Sequence, residues 1–355
     1  MVIFDTLLKE NETLFKNSVA LDYDYQPKLI PHREKEQHYI AACIKPLFQQ
    51  RSGRNVLVYG KPGIGKTVAI KHVFQELEDE YDEITPLYVN CWQKNTTYKI
   101  VIELCESLDY RFTQNKKTEE LFDEVKRILN KTSVVFAFDE IDKVQDCDFL
   151  YGILESIYRK AIIMISNYKD WLTELDDRIR SRLLPELLEF KEYNERETYD
   201  ILHQRRDYAF HENVFEKNAF DKTVEATYGM KDIRTGLYLL KEAATLAEEQ
   251  SSRKVTLDHV NKALHKIEEL PRKNLDLDPD EQSLLNLAKE YSGKKIGELY
   301  KLYQEHGGTL SYKTFQRRIA HLEEGKFITV KKIEGGAEGS TSIITYNGMK
   351  KLTEF

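Results

Sequence analysis

Gly60-Lys61-Pro62-Gly63-Ile64-Gly65-Lys66-Thr67 lies between an apolar run, Val56-Leu57-Val58-Tyr59, and a helical pattern from Val68 to Leu77. A glycine-rich loop between a strand and a helix is the setting of a phosphate-binding P-loop. The glycines let successive backbone N–H groups turn inward around anionic oxygens, and the helix N-terminus adds positive potential there. Lys66 is placed to reach β- and γ-phosphates, and the Thr67 hydroxyl to hold Mg²⁺. The chain is therefore expected to bind ATP or ADP through Gly60, Lys61, Pro62, Gly63, Ile64, Gly65, Lys66, Thr67, Val68 and Ala69.

The rest of such a site follows in the right order. Val134-Val135-Phe136-Ala137-Phe138 predicts a buried parallel strand, and Asp139-Glu140-Ile141-Asp142 puts carboxylates at its carboxyl end. Asp139 is the second expected Mg²⁺ residue, and Glu140 the group that orients and activates water. A third strand, Ala161–Ile165, ends in Ser166-Asn167, placing Asn167 where a sensor of the γ-phosphate sits in AAA+ ATPases. Arg182, in a basic stretch from Arg178, is the candidate arginine finger for a neighbouring subunit's nucleotide. Beyond Phe190 the pattern turns helical, with Asn194 and Glu197 spaced as a capping box. Helices are expected over about Thr198–Phe210, Glu216–Thr227, Asp232–Gln250 and Leu257–Leu270, as an all-helical lid. Arg234 starts one of them and is expected to fold back onto the phosphates as a second sensor.

At 355 residues, two or three domains are expected. The apolar share of 41% supports packed cores, and the charged share of 32% fits a soluble protein. No run approaches a membrane-spanning length, and Asp5, Lys9, Glu10 and Glu12 do not fit a signal peptide. Cys43, Cys91, Cys105 and Cys147 lack paired metal spacing and are expected as free thiols in a reducing cytoplasm. Net charge is −7, yet residues 271–355 hold 14 Lys+Arg against 12 Asp+Glu, leaving 39 against 48 elsewhere.

That C-terminal stretch has its own organisation. Pro271–Pro279 reads as a linker. Three short helical patterns follow, at Glu281–Tyr291, Ile296–His306 and Ser311–Leu322. Alternating strands at Phe327–Ile333 and Thr341–Tyr346 then flank a glycine-rich turn, Glu334–Ser340. Three helices and a hairpin describe a winged helix-turn-helix. On a helical wheel, Tyr312, Phe315, Ile319 and Leu322 face the core. Arg317 points opposite, flanked by Lys313, Thr314 and His321, with Arg318 at the edge. This is the pattern of a recognition helix, with Lys331 and Lys332 at the wing base for phosphate contact.

Taken together, these motifs resemble the archaeal replication initiators related to eukaryotic origin-recognition and cell-division-control proteins. Tyr25-Gln26-Pro27-Lys28-Leu29-Ile30-Pro31-His32-Arg33-Glu34 is similar to the family segment over the nucleotide base. Val89–Tyr98 resembles the start of a helical insertion that contacts DNA, which implies Lys94 and Lys99 as DNA-binding. Tyr193 and Arg205 fall where the family contacts ATP. The pattern departs from the family at Lys231, where Gly-Asp-x-Arg is usual and Gly229 lies two positions earlier, and around Arg182, where many members have small residues.

The resemblance implies an AAA+ core over 1–190, a helical lid over 191–270 and a winged-helix DNA-binding domain over 271–355. It further implies a slow ATPase that acts as a switch on double-stranded origin DNA. ATP binding would set how the last domain grips DNA, help load the replicative helicase and permit assembly with other initiator subunits, in a cytoplasmic, nucleoid-associated protein. The rivals are a winged-helix ATPase regulating transcription or a mobile element, a clamp-loader-like subunit, and a structural protein that holds ADP permanently.

Overall fold

The computed structural model describes residues 13–269, 279–308, 310–324, 327–333 and 341–346. Two compact units part between Lys266 and Ile267. Of the expected linker Pro271–Pro279, all but Pro279 lies outside the described residues, as do the glycine-rich turn Glu334–Ser340 and the segment around Asp5 to Glu12.

The first unit is built on five parallel strands: β1 (Val56–Tyr59), β2 (Ile84–Asn90), β3 (Ser133–Asp139), β4 (Lys160–Ser166) and β5 (Glu186–Glu189). Their spatial order is β2-β3-β4-β1-β5. β3 is buried at every position, which is why it reads as an unbroken apolar run rather than an alternation. Successive residues still serve opposite faces. Leu57, Phe136, Phe138, Ile162 and Met164 pack with α3 (Thr97–Ser107), α4 (Thr118–Leu129), α5 (Asp148–Ser156) and α7 (Asp177–Leu183). Val56, Val58, Val135, Ala137 and Ile163 pack instead with α1 (Glu34–Ile44) and α2 (Lys66–Glu80). A short α6 (Trp171–Glu174) precedes α7.

This order decides where chemistry collects. Tyr59 pairs with Ser166 across β1 and β4, Phe138 with Met164 across β3 and β4, and Asn90 with Asp139 across β2 and β3. The P-loop, the acidic pair and Asn167 therefore emerge side by side at one edge of the sheet, at the carboxyl ends of its central strands.

Four further helices follow: α8 (Glu195–Ala209), α9 (Lys217–Met230), α10 (Ile233–Glu249) and α11 (Leu257–Glu269), the last of which runs three residues past the division at Lys266. Asn194 and Glu197 form a reciprocal capping box at the start of α8. All four cysteines are free thiols, three of them buried. No helix among the described residues is long and apolar enough to cross a membrane.

The second unit contains α12 (Pro279–Glu290), α13 (Ile296–Glu305) and α14 (Tyr312–Glu324), with β7 (Ile328–Ile333) and β8 (Thr341–Tyr346). A two-residue strand, β6 (Lys294–Lys295), adds to β8, so the sheet has three antiparallel strands in the order β6-β8-β7. That strand is unmarked in sequence because both its residues are exposed lysines. Leu284, Leu299, Tyr303, Phe315, Ile319, Leu322, Ile328 and Ile344 form its core.

Candidate nucleotide site and nucleic-acid surface

The loop expected to hold phosphates adopts the backbone its glycines permit. Gly63 and Gly65 have φ of 73° and 86°, and Gly65 is the left-handed N-cap from which α2 starts. A side chain at Gly63 would collide with the Asp232 carboxylate, and one at Gly65 would come within 2.8 Å of the Tyr193 hydroxyl. Lys66 Nζ donates to the Gly60 and Lys61 carbonyls at 2.6 and 2.8 Å and to Asn167 Oδ1 at 3.1 Å. Burial disfavours its charge and holds its pKa down at about 8.

The acidic pair lies across the same cleft. Asp139 is 3% exposed. Its Oδ2 accepts from Thr67 Oγ1 at 2.6 Å and from the Tyr88 hydroxyl at 2.7 Å, and its Oδ1 accepts from the Glu140 amide at 2.9 Å. Glu140 is left-handed, with φ of 52°, which turns its side chain off the strand direction and into the cleft wall. Burial first, and Asp139 second, push its carboxyl above the ordinary range. Tyr88 escapes sequence reasoning because β2 is a neighbouring strand. Its only trace is its place two residues before the end of that strand.

The helical part meets the loop directly. The Ile233 amide donates to the Gly63 carbonyl at 3.2 Å, and Asp232 caps α10. Arg234 lines the cleft with its guanidinium forked onto Asp232, Nε to Oδ1 at 3.0 Å and Nη2 to Oδ2 at 2.8 Å. Lys231, which departs from the family pattern, is left-handed at the end of α9 with φ of 56°. That is the backbone for which a glycine is suited, whereas Gly229 is an ordinary residue of α9. Lys231 also sits over the Tyr228 ring.

A buried arginine ties these parts together. Arg33, 3% exposed, donates through Nη2 to the carbonyls of Ile64 and Lys191 at 2.9 and 2.6 Å and through Nε to the Tyr193 hydroxyl at 3.0 Å. It pairs with Glu36 and stacks on the Tyr193 ring. Arg205 is likewise buried and lowered in pKa by burial, and it donates to the Ala20 and Tyr25 carbonyls at 3.1 and 3.3 Å. It therefore pins the segment over the cleft while contributing to the cleft wall. The cleft holds about 320 Å³ and is lined by residues 62–68, by 23–27, and by Asp139, Glu140, Asn167, Tyr193, Arg205 and Arg234.

Four expected residues do not line it. Ala69 is fully buried against the sheet. Lys61 pairs with Glu192. Gly60 faces the Phe190 carbonyl, which a β-carbon there would strike. Arg182 pairs with Glu155 and lies over the Tyr151 ring at 5.3 Å.

On the expected DNA side, Phe315, Ile319 and Leu322 are buried as the wheel requires, but Tyr312 is 40% exposed. It opens α14, where the helix end reaches past the core, and its ring packs edge-on against Tyr300. Lys313 and Arg317 are exposed, as is Lys331 on β7. Thr314 is half-buried, 3.0 Å from the Ser311 hydroxyl. Arg318 turns inward, donating to Oε1 of the buried Glu281 at 2.8 Å, and His321 meets the same oxygen at 2.8 Å. The side chain of Lys332 lies outside the described residues. In the first unit, Lys94 pairs with Glu103 at 2.8 Å and Lys99 reaches Asn95 Oδ1 at 3.1 Å.

Residues 49–178 match the family model of an AAA domain, and residues 199–265 that of a Cdc6 AAA+ ATPase-type lid domain. ORC1-type DNA replication protein 1 of Archaeoglobus fulgidus is 31% identical over 344 residues, covering 91% of this chain and 84% of that one. The ORC1-type DNA replication protein of Pyrococcus abyssi is 29% identical over 377 residues, covering 97% and 90%. Among solved structures, the Aeropyrum pernix ORC2 protein in ADPNP–ADP complexes superposes with a TM-score of 0.74 at 18% identity, over 94% of each chain. The Aeropyrum pernix ORC1 protein in complex with DNA gives 0.67 at 23% identity, over 97% and 96%.

Proposed function

Because the chain belongs to the family of ORC1-type DNA replication proteins, we propose that it is an origin-binding initiator whose grip on double-stranded DNA is set by the nucleotide in the first unit. The observation that carries this is the meeting of Lys66, Thr67, Asp139, Glu140, Asn167 and Arg234 around one cleft.

In this reading the backbone amides of residues 63–67 and the Lys66 ammonium bind phosphate oxygens. Lys66 exchanges its present carbonyl partners for stronger, charged ones. Thr67 and Asp139 offer the few hard oxygen donors that a magnesium ion takes from protein, and its chemistry when bound is to neutralise phosphate charge. Glu140 orients the attacking water and takes its proton. Asn167 and Arg234 read the γ-phosphate, Arg234 by leaving its fork with Asp232. Arg182 serves a neighbouring subunit once released from Glu155. Tyr193 and Arg205 shape the cleft through the segment above it.

The second unit acts as a winged helix, with Lys313, Thr314 and Arg317 presented to the major groove and Lys331 and Lys332 to phosphates. Lys94 and Lys99 contact DNA from the first unit. The ATP form binds the origin, recruits the replicative helicase and joins other initiator subunits. Slow hydrolysis ends that state.

Glu140→Gln is the direct test. It should leave ATP affinity within about threefold of the parent while cutting turnover by about 10²–10⁴-fold. Footprints at a replication origin should then persist in ATP and weaken in ADP. Identical footprints with ATP, with ADP and without nucleotide would overturn the proposal. Footprints confined to promoters or element ends would favour a regulator instead.

A further inference from the structure

We propose that Gln26 is the residue that selects adenine over guanine in this cleft. The inference rests on the nucleotide-binding reading above and adds a specificity determinant to it.

Gln26 stands on the segment that Arg205 pins by the Ala20 and Tyr25 carbonyls, so its backbone is anchored immediately upstream. The buried Pro27 follows it and restricts its backbone further. The cleft wall includes the apolar Pro27, Ile30, Ile201 and Leu237, along with the polar Asp24, Gln204 and Arg205. A wall of this kind suits the faces of a purine and leaves its edge to be read by whatever polar group is present.

Among the polar groups of that wall, which also include Gln204, the amide of Gln26 is set apart by a buried atom left without a hydrogen bond. Its Nε2 is buried and has no hydrogen-bond partner among the described residues, and of the buried side-chain atoms so placed it alone belongs to the cleft wall. An unmet buried donor is a standing cost that a ligand acceptor relieves. Because that nitrogen holds no partner among the described residues, turning the amide toward the cleft breaks no hydrogen bond seen at it, and rotation about the terminal torsion is soft.

The chemistry then distinguishes the purines. A carboxamide offers one acceptor and one donor side by side. Adenine presents a complementary donor at N6 and acceptor at N7, so two bonds form. On that same edge, guanine presents O6 and N7, both acceptors. One bond then forms, and the amide oxygen is left facing O6. Amide oxygen and nitrogen are interchangeable by a flip, yet neither orientation serves two acceptors.

The experiment compares ADP and GDP affinities, by titration calorimetry, for the full-length protein and its Gln26→Leu variant. The parent should prefer ADP. In Gln26→Leu, ADP affinity should fall about tenfold, with GDP affinity moving less than about twofold. A general loss of folded protein would lower the stoichiometry for both nucleotides and leave the ratio of their affinities alone, so the ratio is the readout. An unchanged ADP/GDP ratio in the variant, or equal affinities in the parent, overturns the role of Gln26. A parent that binds neither nucleotide overturns the nucleotide reading itself.

Discussion

Lys66 carries the most informative charge in the molecule. Burial holds its pKa at about 8, so below that pH the ammonium is already present to meet a triphosphate. Above it, binding must bring a proton along, because phosphate oxygens stabilise the charged form. Affinity should therefore fall as pH rises past 8, by up to about tenfold per unit. Calorimetry in buffers of different ionisation heat should register the proton taken up, and equal affinity at about pH 7 and 9 would contradict this. Tyr88 makes a second case. Tyr88→Phe removes one of the two hydroxyls on Asp139 Oδ2. Half-saturating magnesium for hydrolysis should rise about tenfold, with ADP affinity in chelator unchanged. At this scale Lys66, Thr67, Asp139, Glu140 and Asn167 were legible, since each is fixed by its own loop at a strand end. Tyr88 and Arg33 were not, because they act on the site across from other elements.

Among the elements, backbone conformation explains what composition hides. Leu184 closes α7 in a left-handed conformation with φ of 34° while 76% exposed. A β-carbon there strains the backbone and buries little in return. Leu184→Gly should therefore stabilise the protein by about 0.5–1 kcal/mol, read as a higher unfolding midpoint in denaturant. Leu184→Ala, which keeps the β-carbon, should not. The helix ends of the lid were readable because capping is local, as Asn194 and Glu197 show. β6 was not, being held by pairing to β8 rather than by its own residues. The wheel placed Phe315 and Ile319 correctly, yet it had no means of knowing that Glu281 on α12 draws Arg318 and His321 back from the outer face.

At the scale of the whole molecule, the proposed DNA-binding role of the second unit predicts two different kinds of loss, one from its helix α14 and one from its strand β7. Arg317→Ala should weaken specific origin binding by about 1–3 kcal/mol if the side chain meets a base edge. Lys331→Ala should instead reduce the salt dependence of binding by about one unit of slope, across specific and unrelated sequences alike. Fluorescence titrations over a range of salt would separate them, and negligible effects from both would turn the second unit away from DNA. Arg33 has a mechanical implication as well. It rivets the Ile64 carbonyl of the loop to Lys191 and Tyr193, just where the sheet portion gives way to the helices. Prising those apart would strand a buried cation, whereas parting Ile233 from Gly63 severs one backbone bond. Any swing of the helical portion must then hinge beyond Tyr193, at the Asn194 turn, and amide exchange should be quicker at Ile233 than at Lys191's neighbours.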